Sequence, residues 1–178
     1  GTIGGREIHG AKGSTLEGGS RVPLIANWPG VTPNGKVLND LTDFTDFFPT
    51  FAELTGAKMP DGVKFAGRSF APQLRGEKGS PREWIYVQLG AKWYARDDGW
   101  KLNQRGELFD MKDAPFEEKA VAADAPAADA QAARQRLQAV LDHLNPAAGK
   151  TAPAPDKPAK RVQRQNKRLK AASPNHHP

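Results

Sequence analysis

Lys92-Trp93-Tyr94-Ala95-Arg96-Asp97-Asp98-Gly99-Trp100-Lys101-Leu102 is the stretch on which the fold turns. Two aromatic-rich runs flank an Asp-Gly pair, the pattern of two antiparallel strands joined by a tight turn. Upstream, Trp84-Ile85-Tyr86-Val87-Gln88-Leu89 is aromatic and β-branched, and downstream Glu107-Leu108-Phe109-Asp110-Met111 reads as a further short strand. Three or four such strands in succession predict a small antiparallel sheet. An alanine-rich helix follows, with Ala133, Leu137, Val140, Leu141 and Leu144 on one stripe and Pro146 as its stop. Its apolar stripe is expected to pack on one face of the sheet, which makes this region α+β.

Towards the N-terminus the pattern changes. Leu41, Phe44, Phe47, Phe48, Phe51 and Leu54 recur at spacings of three and four, a helical face with Gly56 as its C-cap. Pro49 either kinks this helix or begins its main part, with Asp46 or Thr45 as the N-cap. Val22-Pro23-Leu24-Ile25-Ala26-Asn27-Trp28 is a short apolar run closed by Pro29-Gly30, read as a buried strand, and Pro23 favours an edge position or a strand entrance. Residues 1–20 contain seven glycines and no hydrophobic period, and read as an extended loop. The opening Gly1-Thr2-Ile3-Gly4-Gly5, without an initiating Met or an apolar leader, reads as a piece of a longer protein or as a cloning scar.

The 178 residues carry a net charge of +6, no cysteine and a mean hydropathy of −0.66. Disulfide frameworks, thiolate metal sites and cysteine nucleophiles are thereby excluded. No run approaches the roughly 18 apolar residues of a membrane helix. The charge is not evenly spread: residues 150–178 hold eight bases and one acid, leaving residues 1–149 at −1. That Pro- and Ala-rich tail has only Val162 and Leu169 to bury and reads as disordered. His176-His177 at its end would chelate metal adventitiously or belong to a truncated tag.

The densest chemical signal is Lys12-Gly13-Ser14-Thr15-Leu16-Glu17-Gly18-Gly19-Ser20-Arg21-Val22-Pro23. Glycines allow close backbone approach, Lys12 supplies a point charge for an oxyanion, and Ser14 and Thr15 offer hydroxyl donors. The order matches neither the phosphate-binding G-x-x-x-x-G-K-[ST] loop nor the dinucleotide G-x-G-x-x-G turn. Asp97-Asp98 beside a glycine are turn residues rather than catalytic carboxylates, and Asp43 and Asp46 are helix caps rather than metal ligands. Trp84, Trp93, Tyr94 and Trp100 are core fillers, with a sugar-stacking platform as the alternative.

The lysine-containing stretch resembles a loop of the type I sulfatase family, arylsulfatase-like enzymes of the alkaline phosphatase superfamily. Later segments agree in order. Leu41-Thr-Asp-Phe-Thr45-Asp46-Phe-Phe-Pro49-Thr50 is similar to the family's "thr-asp-leu-phe-pro-thr" helix, and Ala66-Gly67-Arg68-Ser69-Phe70 to its "asp-gly-arg-ser-leu" stretch. Ala95-Arg96-Asp97-Asp98-Gly99-Trp100-Lys101-Leu102 resembles its C-terminal hairpin, and Glu107-Leu108-Phe109-Asp110 the "glu-leu-tyr-asp" that follows. The resemblance spans roughly residues 10–145.

It implies part of an α/β sulfatase fold. Residues 1–79 are expected to be the end of a catalytic domain with lysine loop, strand and helix, residues 80–146 an antiparallel sheet with a packed helix, and residues 147–178 a disordered basic tail. It also implies a sulfate-ester hydrolase with a formylglycine nucleophile in a C/S-x-P-x-R signature and a calcium ion held by Asp-Asp and Asp-Asn or Asp-Gln pairs. This sequence has no Cys, and Ser80-Pro81-Arg82 has the wrong spacing for the serine form. The chain is therefore expected to be a C-terminal fragment, inactive alone, with nucleophile and calcium ligands outside it. Lys12 carries over as the sulfate-binding residue. His9 is a candidate proton donor to the leaving alcohol, while Glu17 and Arg21 are expected to brace the loop. The family implies a periplasmic or extracellular location and a sulfate-ester substrate. Two alternatives stand beside this: a phosphodiesterase or phosphonate hydrolase of the same superfamily, and a polyanion-binding module acting through residues 150–170.

Overall fold

The computed structural model describes residues 1–148. The basic tail and the polyanion binding expected of it lie outside those residues. The hairpin expected around Asp97 forms: β4 (Lys92–Arg96) and β5 (Trp100–Asn103) run antiparallel with Ala95 opposite Leu102 and Arg96 opposite Lys101. Its turn is held by the Asp97 carboxylate, which accepts the Gly99 and Trp100 N–H groups at 3.0 and 2.8 Å. β3 (Ile85–Leu89) joins β4 through the two-residue turn Gly90-Ala91, and the φ of +59° at Gly90 suits a residue without a Cβ. β6 (Leu108–Asp110) and β7 (Lys119–Val121) complete a five-stranded antiparallel meander in sequence order.

Strand alternation divides the residues between two faces. Ala95, Leu102 and Leu108 lie on one, fully buried against Ala130, Ala133, Leu137 and Leu141 of α4 (Ala128–Leu144), with Tyr86, Trp93, Trp100 and Val121 around them. Of the stripe expected in this helix, Ala133, Leu137 and Leu141 lie in the core and Val140 packs against it, but Leu144 is exposed and Ala130 joins the core instead; Asn145 in the left-handed region ends the helix just before Pro146. Of the aromatics expected to fill the core, Trp93 and Trp100 pack against it partly buried, together with Tyr86, whereas Tyr94 is buried on the opposite face and Trp84 is half-buried outside the cluster. The opposite face carries Tyr94, Arg96, Lys101 and Phe109, and it receives the N-terminal segment.

That segment is more ordered than a glycine-rich loop need be. β1 (Thr2–Ile3) and β2 (Arg6–Glu7) form a small hairpin about Gly4 and Gly5, both at positive φ. Arg6 binds Asp113 through two parallel bonds of 2.6 and 2.7 Å and lies 3.9 Å over the Phe116 ring. A four-residue helix, α1 (Glu17–Ser20), follows the lysine loop.

The helix expected from the phenylalanine spacing is α2 (Phe47–Thr55), closed by Gly56 at a φ of +69°, so Pro49 lies in its first turn and does not kink it. A 3₁₀ turn, Phe44–Asp46, precedes it and is capped by the Asp43 side chain, while Asp46 holds the N-cap position of α2 without a side-chain bond to that helix and Thr45 caps neither. Asp43 accepts the Thr45 N–H, and Asp46 reaches back to the Asp43 N–H, a reciprocal pair that satisfies two orphan donors. Asp46 therefore acts within the turn.

The strand expected at Val22–Trp28 does not form. Its residues are exposed, Ile25 to 89%, and no described strand runs beside them. A strand needs a neighbour for its N–H and C=O groups, and an apolar run encodes the wish for burial without supplying the partner. Phe44, Phe48 and Phe51 of the helical face are likewise exposed, between 51 and 73%.

Candidate functional site

Two of the segments that carry the sulfatase resemblance are docked on each other. Asp46, almost fully buried, accepts the Arg68 N–H at 2.7 Å, and the Thr50 hydroxyl accepts the Phe70 N–H at 3.0 Å while donating to the Asp46 carbonyl at 2.6 Å. A Cβ on Gly67 would overlap the Thr45 carbonyl, so only glycine permits this approach. Arg82 completes the arrangement, its Nε 3.0 Å from Asp46 Oδ2 and its Nη2 paired with Oδ1. Burial opposes ionisation of Asp46, but the bonds from Arg82, Arg68 and Asp43 outweigh it and hold the carboxyl below the ordinary aspartate range. Asp46 is a structural anchor, with no role to spare for a metal.

The lysine loop is a compact turn. Ala11 N–H donates to the Gly18 carbonyl at 3.0 Å, Ser14 N–H to the Ala11 carbonyl at 3.0 Å, and Gly19 N–H to the Leu16 carbonyl at 2.8 Å. Gly18 and Gly19 are required by packing: a Cβ on the first would strike the His9 carbonyl, and on the second the carbonyls of Ala11 and Ser14. Closing the limbs in this way leaves Lys12 exposed at the tip, beside Gly13 at a φ of +84°. His9 is exposed on the incoming limb, its Nε2 3.6 Å from Glu7 Oε1. No hydrogen bond or ion pair engages the Lys12 ammonium among the described residues.

What supports the loop comes from the far side of the sheet. Lys101 of β5, only 2% exposed, donates from Nζ to the Thr15 carbonyl at 2.6 Å and to Glu118 Oε2 at 2.6 Å, and lies 4.4 Å over the Tyr94 ring. The other oxygen of Glu118 accepts the Glu17 N–H at 2.7 Å. Glu17, itself buried, accepts from Arg96 Nη1 at 2.7 Å through Oε1, while Oε2 has Arg21 Nη1 at 3.6 Å and no hydrogen bond. Tyr94 donates its hydroxyl to Ser20 Oγ at 2.8 Å; burial raises the Tyr94 phenol above its usual range. Glu17 and Arg21 thus face each other as braces of the loop, and Arg96, Lys101 and Glu118 are partners that motif reading passed over. Their signal was present in the hairpin: alternation places two cations on the sheet face opposite the helix, and buried cations require acids or carbonyls.

Among the described residues no three His, Asp or Glu side chains converge on a point that would hold a metal. An open groove beside β6, β7 and Arg134 lies on the helix side of the sheet, away from Lys12. Its two arginines are already engaged, Arg134 with the Gly106 carbonyl and Arg105 with Glu107. No described helix is long and apolar enough to cross a membrane.

The described residues thus form an antiparallel meander backed by one helix, with a glycine-containing lysine turn held against its other face. The chain belongs to the family "N-sulphoglucosamine sulphohydrolase, C-terminal", whose model matches residues 11–145. It is 39% identical over 101 residues to human arylsulfatase D, covering 52% of this chain and 17% of that protein. It is 36% identical over 80 residues to an ulvan-active sulfatase of Formosa agariphila, covering 44% and 16%. A putative sulfatase structure from Bacteroides thetaiotaomicron aligns with a TM-score of 0.48 and 25% identity over 62% of this chain and 27% of that one. The chain thus spans about a sixth of the length of the curated relatives it matches.

Proposed function

We propose that this chain is the C-terminal part of a sulfate-ester hydrolase and that the Lys12 ammonium binds an oxygen of the sulfate group. The match of residues 11–145 to the C-terminal sulfatase family carries this reading. The loop geometry supports it: the two limbs are closed at Gly18 and Gly19, and the exposed lysine has no partner among the described residues to compete with a substrate oxyanion. The non-bridging oxygens of the sulfuryl group carry its negative charge towards the incoming nucleophile, while the electron pair of the breaking S–O bond leaves with the alcohol oxygen. A fixed cation there lowers the barrier without any proton transfer. To His9, three residues before Lys12, we assign the donation of a proton to the departing alcohol oxygen, a role that general acid catalysis makes worth roughly 10²–10⁴-fold.

The nucleophile and the divalent metal of such an enzyme are assigned to residues other than these, because no C/S-x-P-x-R occurs here and no described carboxylate cluster fits a calcium ion. Location in the periplasm or outside the cell follows the family and is part of the same proposal. The test is p-nitrophenyl sulfate hydrolysis by the whole polypeptide that carries these residues, beside the 178-residue chain. Lys12→Ala should lower kcat/KM by about 10²-fold or more, the size of losing one oxyanion contact. The isolated chain should show no turnover. Unchanged kinetics in Lys12→Ala would remove the sulfate role, and preferential hydrolysis of bis-p-nitrophenyl phosphate would move the enzyme to the phosphodiester branch of the superfamily.

A further inference from the structure

We infer that the charged face of the sheet is a positioning device for the lysine loop, with Lys101, Glu118 and Arg96 acting through the loop backbone on the placement of Lys12. The inference rests on the sulfate-binding reading of Lys12 and adds residues that lie 84 or more positions further along the chain. Three observations carry it. Lys101 is buried as deeply as the core, yet its ammonium points away from the core, to the carbonyl of Thr15 and to Glu118. Glu118 spends its second oxygen on a backbone N–H of the same loop, that of Glu17, and Glu17 in turn spends its carboxylate on Arg96. The contacts therefore grip the loop through its main chain on both sides of Leu16, which constrains backbone position and leaves Lys12 itself untouched.

Physical chemistry favours this over a purely stabilising role. Burying Lys101 and Glu17, with Arg96 and Glu118 partly buried beside them, costs desolvation that the pairing at best offsets, so such an ionic cluster is a poor way to add stability and a good way to specify one geometry. The sheet already has a sufficient apolar core on its other face in the α4 side chains. A lysine on a glycine-containing tip, by contrast, needs outside support, since Gly13 adopts a left-handed conformation and adds backbone freedom to the unfolded loop. An error of about 1 Å in the placement of a contact to the reacting group is enough to cost roughly 100-fold in rate.

Two measurements test the positioning role separately from the sulfate role. In the 178-residue chain, Lys101→Met should speed amide exchange at Glu17 and Gly19 by tenfold or more while the amides of the Ala95 and Leu102 pair keep their rates. Should that variant lose the sheet as well, Glu118→Gln decides, because it keeps an acceptor for the Glu17 N–H and removes only the charge facing Lys101. Loop amides that exchange as in the wild type in whichever variant retains the sheet would overturn the inference. In the whole polypeptide, Lys101→Met should lower kcat/KM for p-nitrophenyl sulfate by tenfold to 100-fold and weaken inhibition by inorganic sulfate. In that background Lys12→Ala should then cost less than it does in the wild type. Fully additive losses would mean that Lys101 stabilises the fold without placing Lys12, and would overturn the inference too. If Lys12→Ala alone has no effect, the sulfate role of Lys12 fails, and the exchange measurement still decides whether the sheet holds the loop.

Discussion

Replacing Asp46 by Asn tests how the two docked motifs are held together. The native carboxylate takes four donors: the Asp43 N–H and the Arg68 N–H at 2.7 Å each, Arg82 Nε at 3.0 Å, and Arg82 Nη2. Both partners are nearly sealed from water, with 4% of the Asp46 side chain and 8% of the Arg82 side chain exposed. Asparagine is isosteric, but its one carbonyl oxygen can serve only one side of this set. Its NH₂ must face donors where the second carboxylate oxygen stood. The loss is then that of hydrogen bonds to a charged group, about 1.5–3 kcal/mol, whereas Asp46→Ala would approach the roughly 3–5 kcal/mol of an orphaned buried charge. Amide exchange reads this directly. With about 1.4 kcal/mol to each factor of ten, the Arg68 N–H should exchange some ten- to 150-fold faster in Asp46→Asn, and the ladder amides of β4 and β5 should not change.

Acid provides the companion measurement. The folded-state pKa of Asp46 lies below the ordinary aspartate value of about 3.9, so the unfolded chain takes up its proton first as the pH falls. The contribution is complete above the ordinary value and is lost as the pH drops below about 4 towards the folded-state pKa. In Asp46→Asn, protection of the Arg68 amide should lack that component of acid sensitivity. An Arg68 amide whose exchange is the same in wild type and Asp46→Asn at neutral pH, or equally acid-sensitive in both, would refute the assignment of Asp46 as the anchor.

Two further substitutions address packing. Gly67→Ala should destabilise the docking of residues 66–70 by about 1–3 kcal/mol because its Cβ overlaps the Thr45 carbonyl, while Gly99→Ala, with open space around it, should stay within about 0.5 kcal/mol; urea titration of both checks the contrast. Leu137→Ala removes a fully buried side chain from the helix stripe and should cost about 2–5 kcal/mol in the same titration, with a loss below 1 kcal/mol contradicting the core assignment.

The parts of the fold that could be read from the chain are those encoded locally. The β4–β5 turn is written in Asp97, whose carboxylate does its work two and three residues away, and α4 is written in a four-turn stripe that ends at Asn145-Pro146. β7 was unreadable because Lys119-Ala120-Val121 is three residues long and is a strand only through its pairing with Leu108–Asp110. Val22–Trp28 failed for the complementary reason, since its composition is that of a strand and its partner is not among the described residues. Asp43 and Asp46 were both legible as caps by residue type, but only the reciprocal bonds show that Asp43 caps the 3₁₀ turn and that Asp46 answers it. At the candidate site, Lys12 stood out from its neighbours, but its supports did not. Thr15 and Glu17 meet Lys101, Glu118 and Arg96 across 79 to 101 residues of chain, and no spacing rule reaches that far.

The division of labour in the sheet ties these results together. One face is apolar and pays for its own order by covering α4, so it would hold its shape whatever lay on the other side. The second face is charged, and its cations Lys101 and Arg96 complete their partner sets on Thr15 and Glu17 of the loop. Order in the sheet therefore becomes order in the loop through contacts that are directional and short, whereas apolar packing of the same area would tolerate sliding. The sulfate role proposed for Lys12 would draw on the first kind of contact and not on the second. The loop that carries Lys12 therefore has two sets of fixed points, its own backbone bonds between residues 11 and 19 and the contacts of Thr15 and Glu17 with Lys101, Glu118 and Arg96 of the sheet face.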